Sequence, residues 1–397
     1  MEKQIRSIAV LIGGYFLAYI LLGMTTATLG PALPYLARNV GTSLRGISSL
    51  FIGHRLGYMI GSFLGGHMYD RISGNRLMTG MLLIMAAGMI ATPVIPILAL
   101  LVVIVFLLGI AEGTVDVGGN VLLVWIKPPK IGPLMNALHL FFGLGALISP
   151  LILAQVIRHT GGIRWGYWLI AALVVPAAVF LFLQPSPRAA AAPDTDRVAV
   201  GRYLLPVLVS VFLFLHVAAE SAYGSWIYTY SLTKQLADEV SAGYLTSAFW
   251  GSFTFGRLMA IFLALKVNAK IQLGGSVVGA LLSIVILLLW PDSVTAIWIA
   301  TLAYGFSLAG LFPGTITLAS EHLHMTGGVT GFFLVGSSFG AMALPWLIGQ
   351  FFESVGPQVF PAFLTAAIAG SIVLLAAILL LLRRCRTKKK STRMSAS

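Results

Sequence analysis

The chain consists largely of apolar stretches of about 20 residues, separated by short polar segments. A helix of that length rises about 30 Å, which matches the hydrocarbon thickness of a bilayer. We therefore predict an all-α membrane protein with twelve transmembrane helices, six in each half of the chain. Their expected positions are 7–36, 44–69, 76–95, 97–126, 131–157, 163–184, 203–231, 240–263, 270–290, 294–320, 327–352 and 358–382.

Composition supports a membrane protein, because hydrophobic residues make up 58% of the chain and charged residues only 9%. A soluble domain carries about a quarter charged residues, so most of this chain must face lipid or other helices. Lys3 and Arg6 precede an apolar run without a small-residue cleavage site, which predicts a retained first span and not a signal peptide. A single cysteine, Cys385, leaves no intramolecular disulfide.

One polar segment interrupts the pattern midway along the chain. Residues 185–202 contain PSPRAAAAPDTDR, which is too polar to span and reads as a linker. The predicted organisation is therefore a six-helix bundle at 1–184, a linker at 185–202, a second bundle at 203–383 and a basic tail at 384–397.

The basic residues predict the orientation of the protein. With an even number of spans both termini share one side, and by our assignment nineteen basic residues lie on that side and five on the other. The positive-inside rule then places the termini and the linker in the cytoplasm, in a plasma (inner) membrane. The net charge of +13 sits in loops and the tail, which argues for contact with the bilayer and against a nucleic-acid partner.

The two halves of the sequence resemble each other. Residues 48–61 align with 246–259, GALISP at 145–150 aligns with GAMALP at 340–345, and Gly109 aligns with Gly305. The offsets stay between 195 and 198 residues. Duplicated six-helix halves are typical of transporters whose binding site lies between the halves near the bilayer midplane.

Charged and polar residues interrupt the fourth predicted span. Glu112, Asp116 and Asn120 are spaced i, i+4 and i+8, so they follow one face of a helix. A carboxylate near the bilayer centre costs a few kcal/mol and needs water, a partner or a proton. The stripe is compatible with polar residues packed against a neighbouring helix, or with a substrate and ion site that faces a central cavity.

Further polar residues lie in the fifth and seventh spans. Asn136 and His139 are spaced i, i+3, and Glu220 is followed by Tyr223 and Trp226. Amide, carboxylate and imidazole groups bond sugar hydroxyls in pairs, while aromatic faces cover the C–H face of a sugar ring. The set therefore suggests a sugar site, although His139 is equally compatible with a packed histidine and Trp226 with an interfacial aromatic belt.

The carboxylates also offer a way to couple transport to an ion. A carboxyl group that alternates between apolar and wet surroundings can gain and lose a proton, so Asp116, Glu112 or Glu220 would link one proton to each movement. Sodium would need several oxygen ligands, which Asp116, Asn120 and backbone carbonyls would supply. The residues alone favour neither ion, and they indicate no cofactor and no metal-ligand cluster.

The loop after the second span carries a recognisable motif. Gly66-x-x-x-Asp70-Arg71 resembles the signature loop of the major facilitator superfamily, although residues 73–76 shift its next glycine. The resemblance implies the major facilitator fold and a cytoplasmic gate in which this loop latches the halves. We place Arg257 in the same gate.

The fourth and fifth spans are similar to the fucose–proton symporter subfamily and its sodium-dependent glucose transporter branch. The similarity rests on Asp116-x-x-x-Asn120 and Asn136-x-x-His139, and on Glu220 ahead of Tyr-Gly-Ser-Trp. It implies that Asp116 binds the coupling proton or sodium and that both asparagines contact sugar. The first span lacks the acidic residue that those symporters carry, so either Glu112 or Glu220 replaces it or the protein is a uniporter.

Together these observations predict a monomeric carrier that moves a small polar solute, most simply a monosaccharide, by alternating access. Two alternatives stay open at this point: an exporter of amphipathic organic compounds, and a membrane receptor that binds a solute without moving it. An enzyme is disfavoured because the spans contain no nucleophile–base motif and no metal motif such as H-E-x-x-H.

Overall fold

The structure is a computed structural model that describes residues 2–126, 131–187, 204–264, 266–323 and 327–394. Within these ranges the regular structure is helical. The helices are α1 (Glu2–Asn39), α2 (Leu44–Ile47), α3 (Ser49–Tyr69), α4 (Gly74–Ala91), α5 (Leu98–Trp125), α6 (Ile131–Thr160), α7 (Arg164–Leu183), α8 (Leu204–Thr233), α9 (Glu239–Ala264), α10 (Ala269–Leu289), α11 (Val294–Leu308), α12 (Leu311–Ser320), α13 (Gly327–Phe352) and α14 (Val359–Met394), with a 3-10 turn at Thr92–Val94.

These helices form twelve segments of spanning length, with α11 and α12 sharing one segment, which confirms the predicted fold class. Ten of the segments in the described ranges are also apolar enough to cross a membrane. The remaining two, α3 and α9, are more polar: α3 carries His54 and Arg55, and α9 carries Arg257. The two least apolar helices occupy equivalent positions in the two halves of the chain.

The structure corrects the predicted helices at two breaks and one end. The predicted span at 294–320 is broken at residues 309–310, because Pro313 lacks an N–H and its ring would clash with the carbonyl of Ala309. The predicted span at 44–69 is divided at Ser48 into α2 and α3. The last helix does not end near 382, since α14 continues to Met394 through the basic tail.

The two halves pack alike. In the N-terminal half α1 packs on α6, α3 on α5 and α4 on α7; in the C-terminal half α8 packs on α13, α9 on α11 and α10 on α14. Equivalent glycines mediate equivalent contacts. A Cβ atom on Gly145 would collide with the carbonyl oxygen of Ile20, and one on Gly340 with that of Phe214. The repeat in the sequence is therefore also a repeat of helix contacts.

The contact between α3 and α5 is particularly close. A Cβ atom on Gly57 or Gly61 of α3 would overlap the backbone carbonyls of α5, and one on Gly109 or Gly113 of α5 would overlap those of α3. Only glycine permits such an approach of two helix backbones. The two helices are consequently fixed in register, and residues four apart on α3 face residues four apart on α5.

Polar and aromatic contacts join the halves at the end of the bundle formed by the loops at 40–43, 161–163 and 353–358, which we call the distal end. Backbone N–H of Leu44 donates to Glu353 at 2.9 Å, and Arg45 Nε donates to Gln350 at 3.1 Å. Below these bonds the Phe51 ring of α3 lies against the Trp226 ring of α8, with centroids 6.2 Å apart. The bundle is therefore closed at the distal end.

The linker predicted at 185–202 lies outside the described residues from 188 onward. Its first residues are attached to α4, because Asn75 Nδ2 donates to the carbonyls of Gln184 and Pro185 at 3.2 and 3.1 Å. Tyr15 donates to the amide oxygen of the same asparagine at 2.7 Å. The end of the N-terminal bundle is thus held by a buried amide.

We predict that Gly61→Val destabilises the protein by about 2 kcal/mol or more, since an overpacked contact between backbones has no side chain that can yield. Gly80→Val is the matched control, because nothing lies within 4 Å of a Cβ atom on Gly80. Thermal unfolding of both purified variants in detergent measures the difference. Equal unfolding midpoints for the two variants would show that the α3–α5 contact is not tight.

Candidate functional site

Asp116 lies on α5 and accepts hydrogen bonds at both carboxylate oxygens. Tyr19 of α1 donates to Oδ1 at 2.8 Å, and Tyr58 of α3 donates to Oδ2 at 2.6 Å. Asn120, one turn along α5, donates to the Tyr19 hydroxyl at 2.7 Å and to the backbone carbonyl of Asp116 at 2.9 Å. Two tyrosines thus fix the carboxylate, while Asp116 and Asn120 both remain partly exposed.

Glu112 occupies a separate site one turn along α5. Its side chain is fully buried, and its Oε2 accepts from Thr26 at 2.9 Å and lies 2.9 Å from His54 Nε2. The stripe of polar residues on α5 is therefore divided. Glu112 is packed against neighbouring helices, as the first interpretation of the stripe predicted, whereas Asp116 and Asn120 face the space between the halves.

Sequence reasoning missed the partners of these carboxylates, although a signal was present. His54 and Tyr58 are spaced i, i+4 on α3, and Glu112 and Asp116 have the same spacing on α5. His54 precedes its partner Glu112 by 58 residues, and Tyr58 precedes its partner Asp116 by the same number. The glycine contact between α3 and α5 converts this equal spacing into two successive side-chain contacts.

On α6, His139 and Asn136 lie on the accessible side of the helix. The His139 ring meets the Tyr19 ring edge to face with centroids 6.0 Å apart, and its imidazole interacts electrostatically with Asp116 and Arg257. His139 therefore lies beside Tyr19, within electrostatic range of Asp116 and of Arg257 of the other half. Asn136 lies one turn nearer the start of α6 and is exposed.

The C-terminal half contributes Glu220 of α8 and Arg257 of α9, which interact electrostatically. Glu220 Oε2 also lies 3.5 Å from Nε2 of the buried His216. The Arg257 guanidinium carbon lies 4.5 Å from the Phe253 ring centroid. In this structure Arg257 therefore lies beside Phe253 and within electrostatic range of Glu220, and its place in a cytoplasmic gate stays a prediction.

Arg55 of α3 lies in the same region. Its guanidinium carbon lies 5.8 Å from the Tyr58 ring centroid, and the side chain interacts electrostatically with Glu220. No ion pair within 4 Å involves it among the described residues. We call five accessible charged or titratable residues of the two halves the central cluster: Arg55, Asp116, His139, Glu220 and Arg257.

Two residues that we expected to contact the solute lie away from the central cluster. Tyr223 is fully buried inside the C-terminal bundle, where its hydroxyl bonds Thr301 at 2.8 Å and its ring stacks on Tyr304. Trp226 is also fully buried, and its indole N–H donates to the carbonyl of Pro345 at 2.9 Å beneath the distal contacts. Neither side chain is available to a solute in this conformation, which differs from the sequence-based expectation.

The remaining gate residues lie at the opposite end from the distal contacts. Gly66 is near the end of α3, and Asp70 and Arg71 follow it as exposed residues ahead of α4. Neither charged side chain takes part in an ion pair within the described part of the chain. The halves are joined instead by distal residues such as Gln350, which the sequence motifs did not mark.

The central cluster can bind both a polar solute and a cation or proton, because it combines fixed carboxylates with cationic and neutral donors. No group of three His, Cys, Asp or Glu side chains among the described residues is arranged to hold a metal ion. The groups of the central cluster can take part in hydrogen bonding, ion pairing and proton binding.

Comparison with solved structures shows the fold. A mutant of the nucleoside transporter NupG superposes with a TM-score of 0.78 at 12% identity, covering 94% of this chain and 99% of that one. The D-xylose–proton symporter superposes with a TM-score of 0.70 at 14% identity, covering 92% and 97%.

Comparison of sequences shows the family. The sodium-dependent glucose transporter 1A of Mus musculus is 32% identical over 374 residues, covering 84% of this chain and 88% of the mouse protein. The human sodium-dependent glucose transporter 1 is 31% identical over 366 residues, covering 83% and 71%. The family model of the Major Facilitator Superfamily matches residues 15–345. The protein is therefore a transporter of the Major Facilitator Superfamily, similar to the sodium-dependent glucose transporter branch.

Proposed function

We propose that the protein carries a monosaccharide across the membrane by alternating access, coupled to a proton or to sodium. The observation that carries this proposal is the Asp116 carboxylate, which Tyr19 and Tyr58 hold between the halves in a partly exposed position. A carboxylate held in this way binds a coupling ion reversibly, since it keeps access to water without losing its hydrogen bonds. Relatives named as glucose transporters support a sugar as the solute.

The solute would lie against the central cluster. Asn120 and Asn136 offer amide donors and acceptors, and His139 and Glu220 complete a set that can bond neighbouring hydroxyl groups. Both halves supply groups to this set, so a bound sugar would connect them. Contacts from both halves are what a carrier needs if binding is to favour a change in the relative position of the halves.

The closed distal end supports alternating access in particular. Distal bonds such as Leu44 to Glu353 join the halves, whereas the side chains of His139 and Asn136 are exposed, and we infer that they are reached from the other side of the bundle. We assign this open side to the cytoplasm, following the distribution of basic residues. In our proposal the protein is a monomer in the plasma (inner) membrane, and breaking the distal contacts exposes the same central residues to the outside.

Asp116→Asn should abolish uphill sugar accumulation while leaving counterflow exchange within about twofold of wild type, since the amide keeps the size of the carboxylate but carries no negative charge to bind a proton or hold a cation. Uptake of radiolabelled D-glucose by proteoliposomes, first under a proton gradient and then under a sodium gradient, measures both activities. Asp292→Asn is the matched control, because Asp292 lies at the exposed distal end and pairs with Lys234 at 2.6 Å.

Undiminished accumulation in the Asp116→Asn protein would remove Asp116 from the coupling mechanism. If the wild-type protein binds D-glucose with saturation but neither accumulates nor exchanges it, the protein is a receptor, and transport is contradicted altogether.

Asn136→Ala should raise the sugar concentration at half-maximal uptake about fivefold, because one hydrogen bond to a hydroxyl group contributes about 1 kcal/mol. Asn39→Ala provides the control, since that asparagine bonds the carbonyl of Ile95 at the distal end, away from the central cluster. The measurement is initial-rate uptake over a range of D-glucose concentrations. An unchanged half-saturation value, together with efficient competition by lipophilic cations, would favour an exporter of amphipathic compounds.

A further inference from the structure

Two arginines lie inside helices of spanning length, one in each half of the protein. Arg55 belongs to α3 and Arg257 to α9, and both side chains are partly exposed. A guanidinium group stays charged in proteins, and a charge inside a span is costly unless an anion or another polar partner compensates it. The partners of these two groups therefore indicate what the space between the halves accommodates.

The protein itself places no anion directly against either guanidinium group. Within the part of the chain that the structure describes, Arg55 and Arg257 make no hydrogen bond and no ion pair within 4 Å. Each group instead rests against an aromatic ring, with the guanidinium carbon 5.8 Å from the Tyr58 centroid and 4.5 Å from the Phe253 centroid, respectively. Such a contact holds the flat cation in place and leaves its N–H donors free for a ligand.

Glu220 is the acidic residue that both arginines share. It lies within electrostatic range of Arg257 and of Arg55, although its listed ion contact within 4 Å is with His216 at 3.5 Å. Two positive charges and one negative charge leave this trio with a formal charge of +1. One further negative charge would balance it.

The other two carboxylates in the spans of the N-terminal half are already engaged. Asp116 accepts hydrogen bonds from Tyr19 and Tyr58, one at each oxygen, and in the proposed function it holds the coupling ion. Glu112 is fully buried, with one carboxylate oxygen 2.9 Å from His54. The balancing negative charge for the two arginines is therefore best supplied by the solute.

A single carboxylate group on the solute fits this arrangement. The planar fork of a guanidinium group matches a carboxylate, which it binds through two parallel hydrogen bonds. Neutral hydroxyl groups would occupy the same donors but would leave the charge of +1 uncompensated. A phosphate group carries about −1.5 to −2 at neutral pH and would exceed it.

We propose that the central cluster binds a monosaccharide acid, such as a hexuronate, more tightly than the neutral sugar, and that Arg55 and Arg257 contact its carboxylate from opposite halves. This inference rests on the proposed function, because it names the class of solute for the same site. Asn120 and Asn136 keep their proposed contacts with hydroxyl groups. D-glucuronate differs from D-glucose only at C6, so the neutral sugar is a weaker solute of the same site.

Two ligands of equal size test the role of the charge. Isothermal titration calorimetry on the purified full-length protein in detergent compares D-glucuronate with D-glucuronamide, its uncharged amide. Wild type should bind D-glucuronate at least tenfold more tightly, because charge-assisted hydrogen bonds to the arginines are lost with the amide. Equal Kd values for the two ligands would overturn the proposal. Tighter binding of D-glucose 6-phosphate than of D-glucuronate would overturn the choice of a carboxylate.

Arg55→Gln and Arg257→Gln should each weaken D-glucuronate binding at least tenfold and change D-glucuronamide binding less than twofold. Arg257→Lys should recover part of the loss, since it keeps the charge without the fork. Arg164→Gln is the matched control, because that guanidinium carbon also lies over a ring, 5.9 Å from the Trp168 centroid, but at the exposed distal end. An equal loss of both ligands in the glutamine variants would indicate a structural role and contradict the proposal. If these variants do not fold, the comparison of ligands in wild type still decides.

Uptake by proteoliposomes separates this proposal from the proposed function. Wild type should accumulate D-glucuronate at lower external concentrations than D-glucose. Accumulation of D-glucose without discrimination between D-glucuronate and D-glucuronamide would contradict the sugar acid and leave sugar transport intact. Absence of uptake of both sugars would contradict the proposed function, while calorimetry still decides which ligand the site prefers.

Discussion

The close approach of α3 and α5 is the constraint on which the site depends. Glycines on both helices leave no room for side chains between the backbones, so the helices are held in one register over several turns. This register places Tyr58 against Asp116 and His54 against Glu112. A shift by one residue would rotate each partner by about 100° and separate both contacts. Glycines, which carry no functional group, thus determine which side chains contact the carboxylates of α5.

The same helix contacts recur in the C-terminal half with different side chains. Gly305 of α11 approaches Ser252 and the carbonyl of Phe249 on α9, as Gly109 of α5 approaches α3. At the offset of 196 residues defined by these glycines, however, Leu308 and Phe312 stand where the N-terminal half has Glu112 and Asp116. Duplication accounts for the fold, and divergence of the side chains on it accounts for an asymmetric site.

The fold could be predicted from the sequence because span length and hydropathy act locally. The repeat could be predicted for the same reason, since glycines that permit close contacts recur at a nearly constant offset. Asp116 and Asn120 were found because their spacing lies within one helix. Their partner Tyr19 was not, because its contact with Asp116 spans 97 residues and depends on packing between helices.

The residues of α8 show why helical spacing alone misplaces a side chain. Tyr223 follows Glu220 by three residues and was expected on the same face, yet three residues rotate the helix by about 300° and leave the two about 60° apart. In a helix that is apolar all round, nothing in the pattern marks which side faces the other half. In the structure the Tyr223 side chain is buried inside the C-terminal bundle, whereas the Glu220 side chain is partly exposed.

The contacts that hold each half together differ from the polar pairs that join the halves at the distal end. Inside each half, glycine-mediated backbone contacts cannot loosen without losing packing over whole turns. At the distal end, by contrast, Arg38 and Glu239 are 3.9 Å apart with side chains 66% and 44% exposed. A solvent-exposed pair of this kind contributes about 1 kcal/mol or less. Glycine also mediates close contacts between the halves, since a Cβ atom on Gly30 of α1 would meet the carbonyl oxygen of Gly224 on α8, so exposed pairs are only one part of the contact between the halves.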